Sequence, residues 1–491
     1  MTETQIFNSQ FRLVRVRGYL ILKVKCYFYI KQVIFMLCLF MLLSNLSFVT
    51  PKAFGLSIEE ERRLGQQFLG QIRGYFELVD DESANQFITD LGRYLTMPLE
   101  TKPFPFHFYI IKDNTLNAFA APGGHIFVFS GLIEAMDNLD ELASVICHEL
   151  GHVTARHISQ RIEQSKKIGF ATMAAILAGA LIGGEIAGAV MTGAMAAGMQ
   201  AQLSYSRNDE RQADQLGFKY TKLASFNPAG LISSLKKIQK GQWFGTDRVP
   251  AYLLTHPTGP ERMSNLDAML THFKPDPPTK ETIQLRKRFP LFKTILRAEC
   301  MDSQEAERLF LLDLKKNPSS FLSNFGLGIV YKESSEYDRA IRHLKIALKE
   351  DPASTPVLRN LGETYHMAGQ DREAIPFLEK AFDRDGQGRS TIFLLALSYE
   401  NLEKYERAIQ LLKKLTYLKP VENEVYYHLG LSYGRHNRLA LAHYNFGLYF
   451  SNLRQIQKAS FHFQKADSLS GNNPALKKKI HDATKGLGSS Q

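Results

Sequence analysis

Five consecutive residues in the first half of the chain form a pattern that can bind a metal ion. They run from His148 to His152 and read His-Glu-Leu-Gly-His. Histidines four positions apart project from one face of an α-helix, so both imidazoles can reach the same ion. Zinc accepts two imidazoles and a carboxylate and leaves a fourth position for water, whose proton Glu149 could take. The pattern therefore predicts zinc-dependent hydrolysis with Glu149 as the general base.

The third protein ligand has two candidates in the sequence. His157 is close, but its spacing is one residue short of the pattern His-Glu-x-x-His-x-x-Gly-x-x-His, and Ala155 stands where that pattern has glycine. His157 is therefore expected at the surface or beside a ligand. Glu210 and Asp214 share a helix face, so one can bind the ion while the other accepts a hydrogen bond from a ligand imidazole. Glu210 is the better ligand candidate, and the alternative is an ordinary solvated acidic face.

The elements that must position these residues can be predicted from apolar spacing. Residues 138–166 have helical periodicity and carry the histidine motif, so one helix is expected there. Residues 106–111 and 125–130 are aromatic and β-branched and predict two strands, joined by a turn-rich connection over residues 117–124. Further helices are expected over residues 56–100 and 204–240.

The first 55 residues resemble a secretory signal. Val33 to Leu43 is an unbroken apolar run of eleven residues, with basic residues before it and the small residues Ala53 and Gly55 after it. The run is shorter than the roughly 20 residues that a membrane span needs. A cleaved signal and a periplasmic mature chain, with or without peripheral membrane association, is the main interpretation. An uncleaved signal anchor is the alternative.

Residues 168–200 are rich in alanine, glycine and methionine, and Glu185 is their only charge. The interpretation preferred is a buried or lid-forming helical hairpin that breaks at Gly183-Gly184. Contact with a membrane is the alternative.

A repeat of 34 residues occupies the second half of the chain. Small and aromatic residues recur at this period as Gly328, Tyr331, Ala340 and Ala347, then Gly362, Tyr365, Ala374 and Ala381, then Ala396, Tyr399, Ala408 and Leu415. This is the tetratricopeptide pattern of paired helices. A last set begins at Gly447, only 17 residues after Gly430, so the register slips by half a unit.

Length, composition and breaks in pattern predict the domain organisation. The chain has 491 residues, of which 44% are hydrophobic, and this excludes general disorder. The net charge is +11, but seven Lys/Arg and one acidic residue lie in the first 55, which leaves a mildly basic remainder. No arginine-rich stripe points to nucleic acid. The predicted parts are a signal (1–55), a zinc peptidase domain (56–273), a proline-rich linker (274–285), a repeat domain (286–482) and a tail (483–491).

Four motifs together resemble the family of the HtpX peptidases and CAAX prenyl proteases. They are the residues 148–152, the pattern Arg-x-x-Glu-x-x-Ala-Asp-x-x-Gly at 207–217, the segment 117–124, and His256-Pro257 with Arg262. With the signal and the repeats, the chain is similar to the soluble periplasmic branch of that family over roughly residues 57–470. The resemblance implies a mainly α protein: an α+β gluzincin-type peptidase domain with a small β-sheet, followed by an α-solenoid of tetratricopeptide repeats.

The same resemblance implies a set of site residues. One zinc ion per chain would be held by His148, His152 and Glu210, with Asp214 behind a ligand. His256 or Arg262 could stabilise the oxyanion of the transition state. The second strand could add an extended substrate as an extra strand. Its expected substrate-binding residues are Gly124, His125, Ile126, Phe127 and Val128.

His256 has a second possible role. A neutral imidazole is a good zinc ligand, and a loop that folds over the cleft could place His256 in the position meant for water. The resting enzyme would then be slow. A simple turn at His256-Pro257 is the third interpretation.

The function expected is hydrolysis of unfolded or misassembled envelope proteins in the periplasm, with a role in outer-membrane protein assembly and quality control. The repeat domain would bind substrates or the outer-membrane assembly machinery. A chaperone or adaptor that acts mainly through the repeats, with minor proteolysis, is the alternative. A membrane-embedded peptidase that uses residues 168–200 is a third hypothesis.

Overall fold

The computed structural model describes residues 56–164, 205–241 and 250–488. The predicted signal, the hairpin at 168–200 and most of the loop before residue 250 lie outside these ranges. Among the described residues, none of the helices is both long and apolar enough to cross a bilayer. The elements of the first part are α1 (Ile58–Tyr75), α2 (Glu82–Thr96), β1 (His107–Ile111), β2 (Ala118–Ala121), β3 (His125–Phe129), α3 (Ser130–Ala135), α4 (Leu139–Thr154), α5 (His157–Gln164), α6 (Arg207–Leu223), α7 (Ala229–Gly241), α8 (Ala251–Thr255) and α9 (Pro260–Leu270).

A three-stranded sheet lies between helices on both faces. Alternate residues of β3 point to opposite sides: Phe127 and Phe129 pack with α1, while Ile126 and Val128 join the core formed with α2 and α4. A strand buried on both faces must be apolar throughout, which explains the continuous aromatic and β-branched run. The two strands predicted at 106–111 and 125–130 are confirmed.

The order of the strands is β1-β3-β2, with β3 parallel to β1 and antiparallel to β2. The segment 117–124, predicted as a turn-rich connection, therefore contains a strand at Ala118–Ala121 before a short 3-10 turn. Because β3 is central and paired on both sides, it offers no free edge. The prediction that residues 124–128 add an extended substrate as an extra strand is wrong for this sheet.

The helix that carries the histidine motif, α4, begins at an Asn138 cap whose side chain accepts a hydrogen bond from the N–H of Glu141. It ends at Thr154, and α5 starts at His157. Between them Arg156 has a φ of 56°, a left-handed conformation that α-helical residues do not adopt. The single helix predicted over 138–166 is therefore wrong: the chain turns sharply after the motif.

Two glycines allow α4 and α6 to pack closely. A Cβ at Gly151 would lie 2.8 Å from the carbonyl oxygen of Ala213, and a Cβ at Gly217 would lie 3.0 Å from the backbone of His148. Any side chain at these positions would force the helices apart. The close packing brings the acidic face of α6 against the histidine face of α4.

The second part of the chain is a stack of paired helices. Its elements are α10 (Lys280–Cys300), α11 (Ser303–Lys316), α12 (Phe321–Glu333), α13 (Tyr337–Glu350), α14 (Thr355–Met367), α15 (Asp371–Arg384), α16 (Arg389–Asn401), α17 (Tyr405–Leu415), α18 (Asn423–Arg435), α19 (Leu439–Asn452), α20 (Ile456–Leu469) and α21 (Pro474–Gly488). The recurring glycines permit close pairing within a unit: a Cβ at Gly328 would lie 2.5 Å from Leu344, and one at Gly362 would lie 2.6 Å from Leu378. The mainly α architecture predicted from the sequence is confirmed.

The slip in the repeat register has a simple structural form. Gly430 of α18 faces the ring of Phe446 on α19, and Gly447 of α19 faces the ring of Phe463 on α20. Helix α19 is thus the second helix of one pair and the first helix of the next. One helix serves two units, and the repeat advances by 17 residues instead of 34.

The repeats pack directly on the peptidase side of the chain. Phe292 of α10 stacks on Phe87 of α2 with ring centroids 4.3 Å apart. Arg359 of α14 lies 2.8 Å from Asp81 at the start of α2, and both side chains are buried. The predicted linker, 274–285, contains the start of α10 at Lys280. The domain limits themselves stay a prediction.

Candidate metal centre

Three side chains on α4 and α6 converge on one point. The Nε2 atoms of His148 and His152 lie 3.1 Å apart, and the carboxylate of Glu210 is 3.6 Å from the first and 3.4 Å from the second. Ligand atoms of a tetrahedral zinc, each about 2.0–2.1 Å from the ion, stand about 3.4 Å from one another. All three side chains are buried. The spacing of these atoms is that of ligands around a shared cation.

The sequence-predicted partner Asp214 lies directly behind His148. Its Oδ1 is 2.9 Å from Nδ1 of His148, a contact that favours a proton on Nδ1 and leaves Nε2 free for a metal. Asp214 also accepts two hydrogen bonds of 2.8 Å from Nε and Nη2 of Arg262. The guanidinium of Arg262 contacts Glu210 as well. The structure thus places Arg262 on two carboxylates, one of which is a candidate ligand.

His157 performs for His152 what Asp214 performs for His148. It is buried, and its Nδ1 lies 3.0 Å from Nδ1 of His152, while its Nε2 contacts Oε1 of Gln212 at 2.9 Å. With protons on His152 Nδ1 and His157 Nε2, every donor in this chain of contacts meets an acceptor. The surface location considered for His157 is wrong, and the position beside a ligand is confirmed. Gln212 was not recognised from the sequence.

His256 is the fourth side chain at this point. It follows α8, and its Nδ1 is 3.0 Å from Oε1 of Glu210 and 3.4 Å from Nε2 of His148. Four ligand atoms, from His148, His152, Glu210 and His256, lie within 4.8 Å of one another. Tyr252 stacks on the imidazole of His256 with centroids 4.4 Å apart. The loop that carries His256 therefore covers the cluster.

Glu149 lies beside the cluster, fully buried, with Oε1 3.6 Å from Nε2 of His256. Burial raises the pKa of Glu149, against the opposing effects of His256, His148 and the N–H of Ala120. Burial also holds the pKa of His152 well below its usual range, so this imidazole is neutral. A carboxylate with a raised pKa and a neutral imidazole suit a general base and a metal ligand.

The charge of Glu210 is maintained by its neighbours. Burial alone would raise the pKa of Glu210, but His256 and Arg262 outweigh burial and hold it well below its usual range. A ligand carboxylate must be ionised to bind a cation. The donor set of two imidazoles and one ionised carboxylate therefore fits a divalent metal of the zinc type.

Asn117 is a further polar residue at the site that the sequence reasoning did not assign. It precedes β2, it is completely buried, and neither its side-chain oxygen nor its nitrogen has a hydrogen-bond partner among the described residues. The phenol oxygen of Tyr252 and both carboxylate oxygens of Glu149 are unpartnered in the same sense. Buried polar groups without partners are costly, and here they gather around one cleft.

Comparison with known proteins decides the class. Residues 81–270 match the model of peptidase family M48. The first part of the chain is an M48 peptidase domain. Residues 332–387 and 390–422 match tetratricopeptide-repeat models, so tetratricopeptide repeats follow the M48 domain. The resemblance inferred from the four sequence motifs is confirmed, and the chain is a metallopeptidase.

The most similar curated relatives extend beyond the M48 domain. The β-barrel assembly-enhancing protease of Yersinia pestis is 26% identical over 74% of this chain and 75% of its own length. The protein of the same name from Escherichia coli K12 is 27% identical over 67% of each chain. A solved structure of MamA from Desulfovibrio magneticus RS-1 is 21% identical, covers 37% of this chain and 93% of its own, and has a TM-score of 0.29, too distant for a functional conclusion.

Proposed function

We propose that the M48 domain is a zinc endopeptidase in which His148, His152 and Glu210 hold the metal and Glu149 is the general base. The observation that carries the proposal is the convergence of three ligand atoms within 3.1–3.6 Å of one another beside a buried carboxylate with a raised pKa. A zinc ion bound there would polarise the scissile carbonyl and lower the pKa of a water molecule. Glu149 takes the proton from that water and delivers it to the leaving amine.

Two residues prepare the ligands for this task. Asp214 keeps the proton of His148 on Nδ1, and Arg262 holds Asp214 and Glu210 in place through its buried guanidinium. Because Arg262 contacts these two carboxylates, we assign it a positioning role in place of the oxyanion role considered from the sequence. Outer contacts of this kind tune metal affinity by about 10- to 100-fold.

The substrate is proposed to bind along β2. Asn117, Phe119 and Ala121 direct their backbone groups towards β3, since the N–H of Phe129 donates to the carbonyl of Asn117. In an antiparallel pair the intervening residues, Ala118 and Ala120, direct theirs to the opposite side. That side is the open edge next to Glu149. An extended peptide that pairs with Ala118 and Ala120 would lie across the cleft, which moves the predicted substrate strand from β3 to its neighbour.

His256 is proposed to hold the site in a closed state. Its Nδ1 lies among the ligand atoms, and the side chains of His256, Glu149 and Tyr252 are wholly buried. An imidazole in that position occupies the place a catalytic water needs. Opening of the loop would then precede cleavage, and substrate shifts the equilibrium only as far as it binds the open form more tightly.

The cellular role is proposed from the relatives and the repeats. Proteins named β-barrel assembly-enhancing protease share both parts of this chain. We infer a periplasmic endopeptidase that cuts unfolded or misassembled envelope proteins during β-barrel assembly. The repeat domain binds substrate or the outer-membrane assembly machinery.

The experiment is capture of envelope proteins by a Glu149→Gln chain. This variant keeps the ligands and should retain substrates that the wild type cleaves. Unfolded β-barrel proteins recovered with the variant, and cut by the wild type in vitro, are the expected result. Recovery of the same proteins by both forms without cleavage by the wild type would favour the adaptor function.

A further inference from the structure

A groove of about 380 Å³ lies at the far end of the repeats, remote in sequence from the metal centre. It is bounded by the end of α17, the following loop, α18, α19 and α21. Among the described residues that line it, three are lysines, four are tyrosines and none is acidic. This composition selects the charge of an occupant.

The lysines Lys413, Lys419 and Lys479 are exposed at the groove, and none of them makes an ion pair with a described residue. Elsewhere in the repeats cations are paired: Arg339 with Glu307, for example. Three ammonium groups around one concavity repel each other unless an anion lies between them. The groove is therefore suited to carboxylates.

The tyrosines supply neutral donors and an apolar wall. Tyr426, Tyr433 and Tyr444 line the groove, and burial raises the pKa of each, with Asp482 adding to the effect at Tyr444. No hydroxyl of the three is hydrogen-bonded to a described residue. Tyr417 at the rim has 78% of its surface exposed. Rigid aromatic side chains with a polar tip are typical of protein-binding surfaces.

The charge around the groove has the same sign. From Val425 to the end of the chain there are nine lysines and arginines and two acidic residues, a net charge of +7. Most of the net charge of +11 of the whole chain thus belongs to this segment. A long-range positive field of this kind steers acidic partners to the groove.

The groove depends on the half-unit slip of the repeats. Helix α19 pairs with α18 through Gly430 and with α20 through Gly447. This double role lets α21 contact α19, and residues of α18, α19 and α21 then line one concavity. The slip seen in the sequence therefore has a structural product.

We propose that this groove binds an acidic, aromatic-containing segment of a partner protein. A concave site walled by tyrosines and leucines fits an extended polypeptide, whereas a lipid surface needs a flat or convex basic face. The inference does not rest on the proposed peptidase function, because it concerns binding alone.

The test is binding of a short fluorescent peptide of alternating glutamate and tyrosine to the full chain carrying Glu149→Gln. The groove variant combines Lys413→Glu, Lys419→Glu and Lys479→Glu. Its matched control combines Lys316→Glu, Lys349→Glu and Lys380→Glu, three exposed lysines elsewhere in the repeats. We expect Kd to rise about tenfold or more in the groove variant and by less than about twofold in the control.

Two further arms separate the occupants. A peptide with glutamine in place of glutamate should bind weakly and with little dependence on salt. Tyr444→Phe, which removes one donor and keeps the ring, should weaken the acidic peptide by a few-fold. Equal loss in both triple variants would overturn the proposal, because net charge alone would then explain binding. Binding of phosphatidylglycerol vesicles through the same lysines, without binding of the peptide, would overturn it in favour of a membrane.

Discussion

Oδ1 of Asp214 lies 2.9 Å from Nδ1 of His148, and Arg262 donates two hydrogen bonds to the same carboxylate. Replacing Asp214 with alanine removes the group that fixes the His148 ring, so we expect metal affinity to fall by about 10- to 100-fold. Competition with a chromophoric chelator measures this. Asp267→Ala, an exposed change on α9, should leave the affinity unchanged; an equal loss there would show a nonspecific effect.

His157 offers a second test of the outer contacts. His157→Ala removes the acceptor at 3.0 Å from Nδ1 of His152, and a buried imidazole N–H without a partner costs about 1–3 kcal/mol. We therefore expect metal affinity to fall by about tenfold or more. His272→Ala, at an exposed position, is the control. Unchanged affinity in the His157 variant would remove His157 from the site.

The sequence predicted what depends on local spacing. Helical periodicity and a four-residue interval put His148 and His152 on one face, and the 34-residue period gave the paired helices. What it missed depends on long-range packing. The break at Arg156 requires a left-handed non-glycine residue, which no common turn signal marks, and this break is what directs His157 inwards.

The edge strand was missed for a related reason. Ala118–Ala121 consists of small residues next to Pro122 and Gly123 and lacks the β-branched side chains that signal a strand. Its conformation is imposed by pairing with β3. Strand order is a tertiary property, so the sequence could not show that β3 is central and β2 is the free edge.

The gate is tested by His256→Ala. If His256 occupies the position of the catalytic water, the change should raise the rate of cleavage of an unfolded protein and leave the metal bound by three ligands. If His256 stabilises the oxyanion, the rate should fall by roughly 100-fold. An unchanged rate would discard both roles and leave a structural turn.

The contact between the peptidase and repeat parts rests on a buried ion pair. Arg359→Ala would leave Asp81 and Glu82 without their cation, and breaking a buried pair costs about 3–5 kcal/mol. We expect a lower thermal midpoint and faster limited proteolysis near α10. Arg372→Ala, which alters an exposed arginine on α15, should change neither; equal sensitivity of both variants would contradict the assigned contact.

The central claim is that His148, His152 and Glu210 hold the metal while Glu149 moves the proton. The most direct measurement is metal content per chain together with hydrolysis of an unfolded protein, for the wild type, His148→Ala and Glu149→Gln. The account predicts one zinc per chain in the wild type and in Glu149→Gln, loss of zinc in His148→Ala, and hydrolysis by the wild type alone. Zinc retained at one per chain in His148→Ala, or cleavage at the wild-type rate by Glu149→Gln, would contradict it.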